Sequence, residues 1–309
     1  MKTATIEEEV ILPAIVTSVS ELPVRAHLVS DLAELVKARL TFLVLVTTTV
    51  GYYLGSSGPL GLTRLAHTVF GTALAAAGAA ALNQWWERAF DALMHRTRER
   101  PIPGGRMSPA SALGLGAGLS VSGVVYLFLT TNLLSASLAA TTVLIYLLAY
   151  TPLKRISTAN TLVGAIPGAL PPMIGWAAAR GTTEWPAWSL FAILFCWQMP
   201  HFFAIAWMYR EDYARAGFRM LSGSDLDGTK LARQAVFFAV LLILVSCLPA
   251  FAGLTRPAFL PVVVLLSSFF AAMALRFALL RDGVRARQLF IGSIVYLPLL
   301  LLTLVLTRL

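Results

Sequence analysis

The sequence predicts an all-α, polytopic membrane protein with nine transmembrane helices. Three observations lead there. First, only 13% of the 309 residues are charged and 58% are hydrophobic, with a mean hydropathy of +0.76. A soluble domain carries about 25% charge, so this composition excludes an ordinary soluble enzyme, a disordered chain and a nucleic-acid binder. Second, the residues free of Asp, Glu, Lys and Arg gather into runs long enough to cross a bilayer, which takes about 20 apolar residues. Third, the basic residues fall into alternate connections between those runs.

The elements follow in chain order. Residues 1–38 are polar and hold Glu7, Glu8, Glu9, Glu21, Asp31 and Glu34. Organelle import peptides are poor in acids, and no secretory apolar core is present. This stretch reads as a cytoplasmic N-terminal tail with a short surface helix, and residues 39–309 read as the membrane domain. Charge-free runs at 40–63 and 65–86 give the first two spans. The run 107–153 is too long for one span and breaks at Thr130-Thr131-Asn132, where polar residues interrupt it. The fifth run, 156–179, contains Gly164, Pro167, Gly168, Pro171, Pro172 and Gly175, residues that allow kinks and close helix approach. Runs at 185–209, 234–255, 257–275 and 288–307 complete nine. Cys196 and Cys247 lie inside apolar runs, too few for a disulfide scaffold. With the N-terminus inside, 20 of the 24 Lys and Arg fall on the inner side. Only Arg64, Arg180, Arg256 and Arg308 fall outside. The positive-inside rule then predicts a cytoplasmic N-terminus and an external C-terminus.

Three stretches carry chemistry. Asn83, Glu87 and Asp91 are spaced i, i+4, i+8 at the inner end of the second span. Each step drifts only about 40° around a helix, so they share one face. Stacked oxygen ligands suit a hard cation such as Mg²⁺ brought in with phosphates; solvated acids at an interfacial helix end are the alternative. Arg96, Arg98 and Arg100 follow, and carboxylates beside guanidinium groups are what a metal–diphosphate complex requires. The second stretch ends the sixth span with Glu211 and Asp212, at the same depth. Two acidic helix ends could hold two metal ions on one diphosphate, and an interfacial charge cluster is the alternative. Deeper in that span, His201 follows Pro200 among Trp197, Phe202 and Phe203. A polar group there reads as functional, with hydrogen-bonded packing as the competing role. The third stretch, Tyr150-Thr-Pro-Leu-Lys154-Arg155, is either a positive-inside anchor or, beside two acidic ends, a diphosphate clamp.

A secondary transporter would place ionisable groups near the midplane on broken, repeated helices. Here Glu87, Asp91, Glu211 and Asp212 cluster at one face. A non-catalytic assembly subunit leaves paired acids beside basic clamps unexplained.

Taken together, NQWWERAFDALMHRTRERPIP from Asn83, YTPLKR from Tyr150, NTLVGAIPGALPPMIGWAA from Asn160 and WQMPHFFAIAWMYREDYARAGFRML from Trp197 resemble the haem O synthase branch of the intramembrane aromatic-prenyltransferase superfamily. The likeness runs from about residue 30 to the C-terminus. It implies a nine-helix bundle around a central cavity, open to the cytoplasmic side of a bacterial inner membrane. The implied reaction moves the farnesyl group of farnesyl diphosphate to a vinyl group of haem B. Haem O results, and a downstream haem A synthase is an implied partner. The resemblance implies two Mg²⁺ ions, and haem B as substrate rather than cofactor. It assigns catalysis to Asn83, Glu87, Asp91 and Asp212, and metal binding to the same four with Glu211. Arg96, Arg100, Lys154 and Arg155 become diphosphate contacts. His201, His95 and Trp197 are candidate acceptor contacts: either His201 or His95 could ligate the haem iron, or Arg98 and Arg106 could pair with its propionates. Two departures from the superfamily pattern stand out. Position 87 is Glu where many members have Asp, and the second motif lacks repeated Asp spacing, Asp225 and Asp227 coming only later. A quinone precursor or chlorophyllide remains an alternative acceptor.

Overall fold

The computed structural model describes residues 24–309, so most of the expected N-terminal tail lies outside the described residues. A short helix, Val24–Leu35, comes first. Nine helices long and apolar enough to cross a membrane follow among the described residues: Ala38–Gly55, Leu62–Asp91, Pro109–Thr130, Leu133–Ile156, Asn160–Arg180, Trp185–Met208, Thr229–Phe251, Phe259–Leu280 and Gly283–Leu306. They are called the first to ninth spans below.

Local chemistry sets the boundaries. Ser108 caps the third span by accepting a hydrogen bond from the Ser111 amide, with Pro109 at the first helical position. Asn132 does the same for the fourth, accepting from the Ser135 amide at 2.8 Å. Its amide nitrogen also donates to the Ala177 carbonyl on the fifth span. The long apolar run thus breaks at the polar triplet because Thr131 caps the end of one helix and Asn132 the start of the next. Gly181, at φ 77°, closes the fifth span in the left-handed region.

The second span extends past its charge-free run, through Glu87 to Asp91. The apolar-run rule stops at the first charge, whereas the helix continues because those acids turn inward and find partners. The fifth and sixth spans are the inner helices: 72% and 67% of their membrane windows are buried, against 28–44% for the others. Close approach makes this possible. A Cβ on Gly175 would lie 1.9 Å from the Thr48 carbonyl oxygen, and one on Gly51 would lie 2.0 Å from that of Pro172. In lipid, such backbone contact is a main source of helix affinity.

The fourth span carries a π-helical turn, Ile145–Tyr150. Pro152 follows it and has no amide to donate. The Thr151 amide and hydroxyl both donate to the Tyr146 carbonyl, the hydroxyl at 2.8 Å. π turns insert a residue into the helix and often mark functional sites. This one stacks Tyr146 on Tyr150, ring centroids 5.5 Å apart.

The charges sort by end. Arg308 donates to the Ser56 carbonyl and pairs in a short bridge with Thr255, gathering the termini of the first, seventh and ninth spans. At the opposite end the Arg219 amide donates to the Lys154 carbonyl at 2.6 Å, and Arg106 pairs with Asp31 at 2.8 Å.

Candidate active site

The site is built on the second span. Asn83, Glu87 and Asp91 share one inward face and are 0%, 4% and 1% exposed. Each of the three side chains is met by a cation from a different part of the chain. Lys37 Nζ donates to Asn83 Oδ1, Lys154 Nζ to Glu87 Oε1 and Arg100 Nη1 to Asp91 Oδ2, all at 2.7 Å. Burying a charge without a partner is expensive, and these pairings make the buried acids tolerable.

The fourth span frames the same wall. Asn83 Nδ2 donates to Thr151 Oγ1 at 3.1 Å, and the Tyr146 hydroxyl donates to Asn83 Oδ1 at 3.2 Å. Lys154 sits 4.6 Å from the Tyr150 ring centre and 5.6 Å from that of Phe218, inside cation–π range. Across from it, the segment after Asp91 folds back as a series of turns. Thr97 Oγ1 donates to the Asp91 carbonyl at 2.9 Å, and Arg100 reaches back to the carboxylate.

Lys37 arrives by a route that no helical spacing reveals. It adopts φ 49°, ψ 54°, at the junction of the short N-terminal helix and the first span. A left-handed non-glycine residue costs about 1–3 kcal/mol and persists only where its surroundings hold it. Gln84 supplies that hold, its amide donating to the Glu34 and Leu35 carbonyls at 2.8 and 2.9 Å. Burial first, then the nearby charges of Arg100 and Lys154, lower the Lys37 ammonium to about 7.

Other expected residues lie elsewhere. Asp212 accepts from the His95 and Arg96 amides, both at 3.3 Å, and from Arg215 at 2.9 Å. It fastens the segment after Asp91 instead of meeting Glu87 and Asp91. Beside it lies a cleft of about 280 Å³ that His95, Arg210, Glu211 and Arg215 also line. Glu211 is exposed and makes no ion pair among the described residues. No group of three acidic, His or Cys side chains among the described residues is close enough to hold one ion. Arg96 is exposed over the Tyr209 ring, and Arg155 is exposed over Phe90. Asp225 and Asp227 bind the Leu231 and Thr229 amides, at the start of the seventh span. Arg106 pairs with Asp31, and Arg98 lies beside Glu99. His201 lies deeper, against Ser293 of the ninth span.

The oxygen set on the second span fits a hard cation carried in with an anion. Asp91 Oδ1 is enclosed and lacks any donor, while its Oδ2 holds Arg100. A carboxylate oxygen without a donor, beside two cations, suits a metal–diphosphate complex.

Residues 44–301 match the model of the UbiA prenyltransferase family. The chain belongs to the UbiA prenyltransferase family. It is therefore a transferase of prenyl groups and an integral, multi-pass membrane protein. It is 49% identical over 279 residues to "Protoheme IX farnesyltransferase" of Solibacter usitatus, covering 87% of this chain and 96% of that one. A digeranylgeranylglyceryl phosphate synthase structure shares the fold at TM-score 0.76 and 16% identity, covering 90% of this chain and 98% of its own. A UbiA homologue from Archaeoglobus fulgidus, bound to DMAPP and Mg²⁺, does so at TM-score 0.65 and 13% identity, covering 89% and 99%.

Proposed function

We propose that this family member transfers the farnesyl group of farnesyl diphosphate to a vinyl group of haem B, giving haem O and diphosphate in a bacterial inner membrane, with its N-terminus cytoplasmic. The observation that carries the reading is the wall of Asn83, Glu87 and Asp91, each paired at 2.7 Å with Lys37, Lys154 or Arg100. The name of the Solibacter usitatus relative supports the choice of substrates, and the fold shared with a Mg²⁺-bound prenyl-diphosphate complex supports the metal.

The chemistry needs the allylic C–O bond of farnesyl diphosphate to break, its electron pair leaving with the diphosphate. Mg²⁺ held by Asn83, Glu87 and Asp91 would neutralise that developing charge. Lys154 and Arg100 would then exchange their carboxylate partners, and Lys37 its Asn83 amide oxygen, for phosphate oxygens, clamping the leaving group. Tyr150 and Phe218 flank Lys154 and keep water from its ammonium. The terminal vinyl carbon of the haem bonds to farnesyl C1, leaving a cation beside the macrocycle. Water adds to it and a proton departs, so one water is consumed and the chain gains a hydroxyl. Asp212 holds the segment that carries Arg100 and so supports the clamp from behind.

The test incubates purified protein with haem B, farnesyl diphosphate and Mg²⁺ and seeks haem O by mass. A hydroxybenzoate offered in parallel probes the quinone-precursor alternative. Haem O alone supports the reading; prenylated hydroxybenzoate without haem O overturns the choice of acceptor.

A further inference from the structure

His201 lies in a frame that the reaction described so far does not use. Its ring stacks between Trp197 and Phe290, with centroid separations of 5.5 and 5.0 Å and interplanar angles of 23° and 27°. Trp197 Nε1 donates to the Ser293 carbonyl at 2.9 Å. His201 Nδ1 lies 2.7 Å from Ser293 Oγ. Ser293 Oγ in turn lies 2.5 Å from the Phe290 carbonyl oxygen.

Proton accounting sets the tautomer. A serine hydroxyl has one hydrogen to give. Two oxygens 2.5 Å apart require a hydrogen between them, and a carbonyl has none, so Ser293 donates to Phe290. Toward His201, Ser293 can therefore only accept. Nδ1 must carry the proton, and Nε2 keeps a bare lone pair. Nε2 makes no hydrogen bond among the described residues, and it is not one of the enclosed, partnerless atoms, which include the ring nitrogens of Trp176 and Trp207. A histidine fixed at one nitrogen by a hydrogen bond, with the other bare and accessible, is the arrangement of a metal ligand.

Position separates His201 from His67 and His95: His67 also has one bonded and one bare nitrogen, but not beside the proposed site. His67 Nδ1 bonds the Tyr126 hydroxyl, near Arg64 at the end of the bundle away from the acids. His95 is exposed in the cleft beside Asp212. Resting on the haem-acceptor reading above, we infer that Ser293 is a positioning residue that locks His201 with Nδ1 protonated and presents Nε2 to the iron of haem B. Packing alone requires neither the stacked frame nor a bare nitrogen.

The experiment titrates haem B into the purified full chain and records the Soret band, the iron–nitrogen stretch and the affinity. His201→Gly is expected to shift the Soret band and weaken binding, and added imidazole to restore both. Ser293→Ala is expected to weaken haem binding about 10- to 100-fold and to lower the iron–nitrogen stretching frequency. Ser293→Thr, which keeps the hydroxyl, is expected to restore both, and farnesyl diphosphate binding stays unchanged throughout. Melting temperatures of all three variants identify any that fail to fold. Wild-type Soret position and affinity in folded His201→Gly would overturn the inference while haem O formation left the acceptor reading intact. A folded Ser293→Ala with wild-type affinity and stretching frequency would remove Ser293 from the role. Wild-type protein that neither binds nor converts haem B would overturn both readings.

Discussion

The proposed metal ligands Glu87 and Asp91 are paired with cations, which dictates how a metal ion can enter. Lys154 and Glu87 meet at 2.7 Å with side chains only 13% and 5% exposed, and Arg100 and Asp91 meet at the same distance. At an effective dielectric of about 20, two unit charges so placed attract by about 6 kcal/mol. A divalent ion arriving alone must break such a pair and leave an ammonium or guanidinium without an anion. Arriving with diphosphate, it supplies new oxygens for Lys154 and Arg100, and the pair is exchanged rather than lost. Screening and rearrangement reduce the difference several-fold. A residue of about 1.4–2.8 kcal/mol still separates the two modes by about 10- to 100-fold in Kd. The assay is electron paramagnetic resonance titration of Mn²⁺ into the purified protein, with and without farnesyl diphosphate. Wild type is expected to bind Mn²⁺ tightly only with the diphosphate. Lys154→Met frees Glu87 and should raise metal-only affinity at least about tenfold. Equal Mn²⁺ affinity with and without diphosphate, or a Lys154→Met protein with unchanged metal-only affinity, would refute this reasoning.

Lys37 gives a pH signature. With its ammonium lowered to about 7 from an ordinary 10.5, the folded protein holds fewer protons than the unfolded chain between those values. Stability from this group therefore rises with pH across that window, and melting curves of Lys37→Met should lose that rise relative to wild type. Gly175→Ala pushes a methyl against the Thr48 carbonyl; it should cost about 1–3 kcal/mol or more, read as a lower melting temperature. Reporter fusions after Arg106 and Lys230 should report the cytoplasm and those near Gly181 and Arg308 the outside; the opposite pattern would reverse the orientation proposed from the 20 inner basic residues.

The spans were legible because hydrocarbon demands long charge-free runs and the translocation machinery sorts Lys and Arg. The wall of Asn83, Glu87 and Asp91 was legible because one helical period governs all three. What pairs with it was not. Lys37 lies 46 residues from Asn83 in sequence, and a left-handed turn held by Gln84 delivers it. A basic residue just before a span otherwise reads as an anchor. Tyr146 escaped because the π turn shifts the helix phase, so a regular wheel misplaces it. Ser293 escaped because a serine inside an apolar span has no periodic signature, and its partner His201 is 92 residues away. Asp212 shows the reverse limit. Depth put it level with Asp91, but its carboxylate is taken up by two backbone amides of the segment between them. Depth specifies a layer, while the direction of a side chain depends on the loop packed against it.

The most direct measurement of the proposed activity runs the reaction in ¹⁸O-water with haem B, farnesyl diphosphate and Mg²⁺, comparing wild type with Asp91→Asn. Wild type is expected to yield a haem heavier by one farnesyl group and one hydroxyl, the hydroxyl carrying ¹⁸O. Asp91→Asn, with its fold verified by an unchanged melting temperature, is expected to lose at least about 100-fold in rate. No haem product from wild type, or an undiminished rate from folded Asp91→Asn, would contradict the proposed reaction and its site.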